Sequence, residues 1–123
     1  MSGNRLLVDT NILLYFLKGD QEIIEILSDK ELVISFITEL ELLSFPKISD
    51  NSEKIIKEFL KECLILDINP KIKYNVIKYR KLWKLKLPDA IIAATALHYK
   101  LPLFTADKAF SNASKLNVIM YEV

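Results

Sequence analysis

Cysteine, histidine and glycine are nearly missing from this chain of 123 residues, and each scarcity removes a kind of chemistry. A single cysteine, Cys63, excludes an internal disulfide framework and leaves no paired-thiol redox motif. With His98 as the one histidine, a structural zinc site has almost no ligands to draw on. Two glycines, Gly3 and Gly19, are too few for a glycine-rich phosphate loop or a dinucleotide fingerprint. No apolar stretch approaches the roughly 20 residues that a membrane-spanning helix needs. The opening MSGNRLL lacks the basic, apolar and small-residue order of a signal peptide, so the expected location is the cytoplasm, away from any membrane. Carboxylates, hydroxyls and amides are what remain for chemistry.

The length fits one domain over residues 1–123, and with 51% apolar residues it can bury a real core. Net charge is +1, yet the charges are segregated. Residues 20–67 hold twelve acids and five bases, whereas 68–86 hold seven bases and no acid. The expected molecule is electrically two-sided.

Apolar runs and helical periodicities alternate along the chain. Residues 5–9 predict a buried strand, and 11–18 a short helix that Gly19 ends. A helix over 21–28, a strand over 31–36 and a helix over about 39–44 follow. Pro46 and the polar turn after it lead into an amphipathic helix with Ile55, Ile56, Phe59 and Leu60 on one side. LILDI is a third strand, and Pro70 opens a longer helix whose Ile72, Val76, Tyr79 and Trp83 form one apolar face. A helix apolar nearly all round begins at LKLPDAIIAATALHYK. A strand at about 102–105, a short helix in ADKAFSNA and a last strand in LNVIMYE complete the chain. Strands that are apolar without alternation, each followed by a helix, predict a parallel sheet covered on both faces.

In such sheets ligand chemistry gathers beyond the carboxyl ends of the strands. Four acids stand at or just after these hand-overs: Asp9, Glu41, Asp89 and Asp107. Singly, each has a structural explanation. Asp89 and Asp107 would cap helices or complement the helix dipole, and Thr38-Glu39-Leu40-Glu41 has the form of a capping box. Together, four converging carboxylates would repel one another and raise one another's pKa values unless a cation sat among them. Oxygen-only ligands favour a hard ion such as Mg²⁺ or Mn²⁺. One ion can activate a water, and a pair about 3.5 to 4 Å apart can clamp both oxygens of a phosphodiester displacement.

VDTN at 8–11, ISFITELELL at 34–43, LPDAIIAATA at 87–96 and LFTADKAF at 103–110 resemble, in order and spacing, the four acidic motifs of the PIN-domain family. Size and wording are most similar to the VapC-type toxins of toxin–antitoxin modules. The resemblance implies a three-layer α/β/α sandwich with a central parallel sheet, and a divalent-metal-dependent endoribonuclease acting on single-stranded or loop RNA. Asp9, Glu41, Asp89 and Asp107 match its metal-coordinating acids, and Thr10, Asn11 and Thr105 its supporting residues. Ala109 stands where many relatives carry a further acid, and Glu39 is read as solvent-facing. The resemblance also implies an antitoxin partner and a homodimer.

Two surfaces are expected to serve these partners. Lys73, Arg80, Lys81 and Lys84 are candidates for steering RNA phosphates, while Tyr79 and Trp83 are expected to pack inward. Leu14, Tyr15, Phe16 and Leu17 with Ile56, Phe59 and Leu60 are candidates for an apolar groove that takes the antitoxin, unless the core absorbs them all. Other function classes remain in view: a catalytically weak PIN-like module that binds RNA or protein, and a phosphoaspartyl enzyme of the haloacid-dehalogenase type. The last wants a second Asp two residues after Asp9, where Asn11 stands.

Overall fold

The computed structural model describes residues 4–122. Five strands, β1 (Arg5–Val8), β2 (Glu31–Ser35), β3 (Leu64–Leu66), β4 (Leu103–Thr105) and β5 (Val118–Met120), form one sheet in the order β3-β2-β1-β4-β5. All four pairings are parallel, as the uninterrupted apolar strands required. Six α-helices cover the sheet: α1 (Thr10–Leu17), α2 (Gln21–Leu27), α3 (Phe36–Leu43), α4 (Asp50–Leu60), α5 (Pro70–Trp83) and α6 (Leu87–His98). A 3-10 helix, Lys108–Asn112, follows β4. The expected three-layer α/β/α architecture is the one observed.

Strand alternation distributes the core between the two faces. On β1, Leu6 and Val8 pack with Ile12 and Leu13 of α1, Leu42 of α3, and Ile56 and Leu60 of α4. Leu7, between them, packs on the other face with Ile72, Val76 and Trp83 of α5 and with α6. Ala90, Ala93, Ala94 and Ala96 of α6 are fully buried, and side chains this small let the helix lie close to both the sheet and α5. Each fully buried Leu, Ile or Val contributes about 1.5–3 kcal/mol by leaving water.

The topology also fixes where a site can form. The chain builds outward from β1 through β2 to β3, then returns to the other side of β1 for β4 and β5. This reversal places a topological switch point between β1 and β4, at their carboxyl ends.

Five expectations need correction. Helix α3 begins at Phe36, not near residue 39, because Ser35 caps it with a side-chain oxygen that accepts from the Ile37 N–H at 3.2 Å. Thr38 therefore lies inside the helix, fully buried, and the capping box read from Thr38 to Glu41 does not form. Ile55 does not share the buried side of α4, being 53% exposed while Ile56 is 8% exposed. The helix in ADKAFSNA is a 3-10 turn, and Asp9 is not a strand residue but the N-cap of α1.

Candidate active site

Asp9, Glu41, Asp89 and Asp107 line one open pocket of about 320 Å³, together with Thr10, Asn11, Leu14, Ser44, Phe45 and Ile92. Each acid arrives from a different element. Asp9 ends β1 and caps α1, its Oδ1 accepting from the Ile12 N–H at 3.0 Å. Glu41 lies near the C-terminal end of α3, a helix that touches both α1 and α6. Asp89 sits in the first turn of α6, whose N-cap Lys86 makes no side-chain cap bond. Asp107 caps the 3-10 helix, with Oδ1 accepting from the Ala109 N–H at 2.9 Å. Capping thus explains part of Asp9 and Asp107, but neither Glu41 nor Asp89.

Hydroxyl groups hold these carboxylates in place. The buried Thr105 hydroxyl donates to Asp9 Oδ2 and accepts the Asp107 N–H at 3.0 Å, so one side chain links the acids of β1 and β4. The Thr10 hydroxyl donates to Glu41 Oε1 at 2.6 Å and shares a second hydrogen bond with Thr38 Oγ1 at 3.1 Å. Thr10 and Thr105 thus each bond to a carboxylate of the pocket, and Asn11 is exposed among the residues that line it.

The charges strain against one another. Asp89 is raised from 3.8 to about 6, most by burial and then by the charges of Asp107 and Asp9, a hydrogen bond to Asp107 and the charge of Glu41. Burial also raises Asp9, opposed by the hydrogen bonds from Thr105 and Ile12 and reinforced by Asp107 and Glu41. Among the described residues, no three acidic, histidine or cysteine side chains close tightly enough to cage an ion as they stand. The four carboxylates instead ring a hollow with room for water.

The sequence model described as PIN domain matches residues 6–116. This chain belongs to the PIN-domain family. Its fold matches a chain in a toxin–antitoxin complex from Klebsiella pneumoniae with a TM-score of 0.84 and 34% identity, over 96% of this chain and 99% of that one. The PIN domain also resembles a chain of VapBC-1 from nontypeable Haemophilus influenzae, with a TM-score of 0.81 and 27% identity over 94% of this chain and 97% of that one. A chain of VapBC2 from Rickettsia felis, solved bound to a DNA fragment from the promoter, shares the fold at 20% identity and a TM-score of 0.82, over 96% and 99% of the two chains. The curated proteins give no match.

The structure treats the two partner surfaces differently. Arg80, Lys81 and Lys84 line one hollow of about 460 Å³ with Ile77 and Leu85, and Lys73 is exposed on the same helix. Trp83 is buried and Tyr79 is half-buried, stacked on it at a centroid distance of 4.4 Å. Glu39 is half-buried, not fully solvent-facing. Of the groove candidates, Leu14, Leu17 and Ile56 line a hollow of about 210 Å³ with Ile55. Phe16 and Phe59 line a second, of about 340 Å³. Tyr15 and Leu60 line neither; Leu60 belongs to the core and Tyr15 packs against it. Sequence reasoning missed Thr38, Ser44 and Phe45. Ser44 and Phe45 reach the pocket where the chain leaves α3, and Thr38 meets Thr10 from within that helix.

Proposed function

We propose that this PIN domain is a divalent-metal-dependent endoribonuclease that cleaves single-stranded or loop RNA, and that it is the toxin of a toxin–antitoxin module. The observation that carries this reading is the meeting of four carboxylates in one open pocket: Asp9 and Asp107 from the ends of β1 and β4, Glu41 from the last turn of α3 and Asp89 from the first turn of α6. The donor set fits Mg²⁺ or Mn²⁺. It is all oxygen, and its mutual repulsion, felt by Asp89 from three other acids, is what a cation would relieve. An open ring suits Mg²⁺, which keeps several waters and binds through few carboxylates directly. When bound, the ion would supply an activated water and neutralise charge on the phosphate.

The chain's own residues divide the work. Asp9, fixed by Thr105 and the α1 amide, is the central ligand, and Asp89, Asp107 and Glu41 complete the ring. Thr10 orients Glu41, and Asn11 offers an amide at the edge. Lys81, Lys84 and Arg80 steer phosphates, with Lys73 further along α5. Among the described residues, the ion pairs are Arg5–Glu31, Lys30–Asp29, Lys57–Glu53 and Lys61–Glu58, so the bases of α5 are not matched to acids. Lys84 and Lys86 lie in the short connection from α5 to α6, five and three residues before Asp89.

The hollow of Leu14, Leu17, Ile55 and Ile56 is the proposed seat of an apolar antitoxin segment. Toxin–antitoxin complexes among the similar structures support an antitoxin partner. The homodimer belongs to the same reading, and the exposed Tyr74, Ile77 and Leu82 of α5 offer apolar surface for a contact between two copies.

Incubation of purified protein with unstructured RNA and Mn²⁺, with and without EDTA and beside Asp9→Asn and Asp89→Asn, tests the activity. We expect cleavage by the wild type alone, and only without chelator. Cleavage that survives EDTA or both substitutions defeats the metal mechanism. RNA binding without any cleavage favours the weak binding module instead.

A further inference from the structure

The carboxylate pocket is not polar all round. Leu14 of α1, Ile92 of α6 and Phe45, just after α3, also line it. Ile92 is core, 3% exposed, but Phe45 is 40% exposed and packs in neither hydrophobic cluster. A phenyl ring left this exposed at the rim of an acidic pocket is available to a ligand. Its backbone is nevertheless firmly placed. The Ile48 N–H donates to the Phe45 carbonyl at 3.2 Å, closing a turn with Pro46 second and Lys47 third. Lys47 has a φ of 64°, the positive value that a type II turn demands at that position and that glycine would adopt more readily. Pro46 in the second position holds the turn, and with it the ring at the rim.

A pocket lined by both carboxylates and apolar side chains has a partner for each half of a nucleotide. We propose that Phe45 is the stacking platform for the nucleobase beside the scissile phosphate, with Leu14 extending the wall. The phosphate then faces the acids and their cation, while the base lies on the ring. Every base has a π-face, so such a platform favours an unpaired base over a paired one without selecting a sequence. Lys47, exposed two turn positions beyond the ring, would supply a cation for a neighbouring phosphate.

This inference rests on the ribonuclease reading, and the two can fail separately. Cleavage in Mn²⁺ is measured for wild type, Phe45→Leu and Phe45→Trp on an unstructured RNA in which one abasic nucleotide is stepped past the cut site. Phe45→Leu should cut the intact RNA roughly 5- to 150-fold less efficiently, the range stacking on one base implies. Phe45→Trp should restore the rate. For wild type, one abasic position should cost a similar factor, and at that position Phe45→Leu should lose nothing further. Full activity in Phe45→Leu, or equal further losses at every abasic position, overturns the platform and leaves the nuclease standing. Normal cleavage by Phe45→Leu combined with loss of neutralisation by the antitoxin also overturns it, and assigns the ring to the protein partner. No RNA cleavage by wild type removes both readings.

Discussion

Thr105 uses one hydroxyl for two tasks, donating to Asp9 and accepting from the Asp107 amide. Valine has nearly its shape and neither capacity. In Thr105→Val, Asp9 would lose a donor and the Asp107 N–H its acceptor, in a fully buried place. We expect cleavage to fall about 10- to 100-fold, as for lost support of a metal ligand. Stability should fall by about 1–3 kcal/mol. Thr105→Ser should keep most of both, which RNA kinetics and urea unfolding will measure. Asp89 makes the opposite case. Its folded pKa is raised from 3.8 to about 6, chiefly by burial and then by Asp107, Asp9 and Glu41. Between those values the folded state holds a proton that the unfolded state has lost. The stability of the metal-free protein should therefore fall as pH rises from 3.8 to about 6, and level off above. Asp89→Asn carries no such charge. It should melt higher than wild type at pH about 7 without metal, the gap should shrink towards pH about 4, and cleavage should be lost at both. A lower melting temperature for Asp89→Asn at neutral pH would show that the carboxylate is stabilising as it stands.

Helices show most clearly what the sequence could and could not reveal. Helix α6 was readable because its apolar residues run nearly all round, which only a helix buried on several sides can use. Helix α3 was misread at its start because Phe36 and Ile37 continue the apolar character of β2, and Ser35 reveals itself as a cap only through its bond to Ile37. The true start turns Thr38 from an expected cap into the buried partner of Thr10. Helix α4 hid Ile55 in the same way, since an apolar residue beside the stripe looks like part of it. Its exposure has a use in the proposed function. Ile55→Glu should leave folding and RNA cleavage near wild type, because the side chain lies on the surface. Antitoxin binding, read by calorimetry, should weaken by about 10-fold or more if Ile55 is a central contact. Unchanged affinity would move the partner away from the hollow between α1 and α4.

At the scale of the whole molecule, the site exists because of strand order. Asp9, Thr105 and Asp107 were recognisable as hand-over residues, but their meeting depends on β4 returning to the side of β1 opposite β2, which no local pattern encodes. Glu41 and Asp89 join them because α3 touches α1 and α6. Phe45 had no signature at all, since an aromatic residue before a proline reads as a turn. Four acids from distant stretches, separated in sequence and gathered at one sheet edge, form a site whose natural complement is a divalent cation. Calorimetric titration of the protein with Mn²⁺, beside Asp9→Asn, Glu41→Gln, Asp89→Asn and Asp107→Asn, tests that claim without relying on any RNA. We expect binding by wild type, weakened at least about 10-fold by each substitution because all four act on one site. Mn²⁺ affinity that is unchanged in all four variants, or no binding by the wild type, would contradict it.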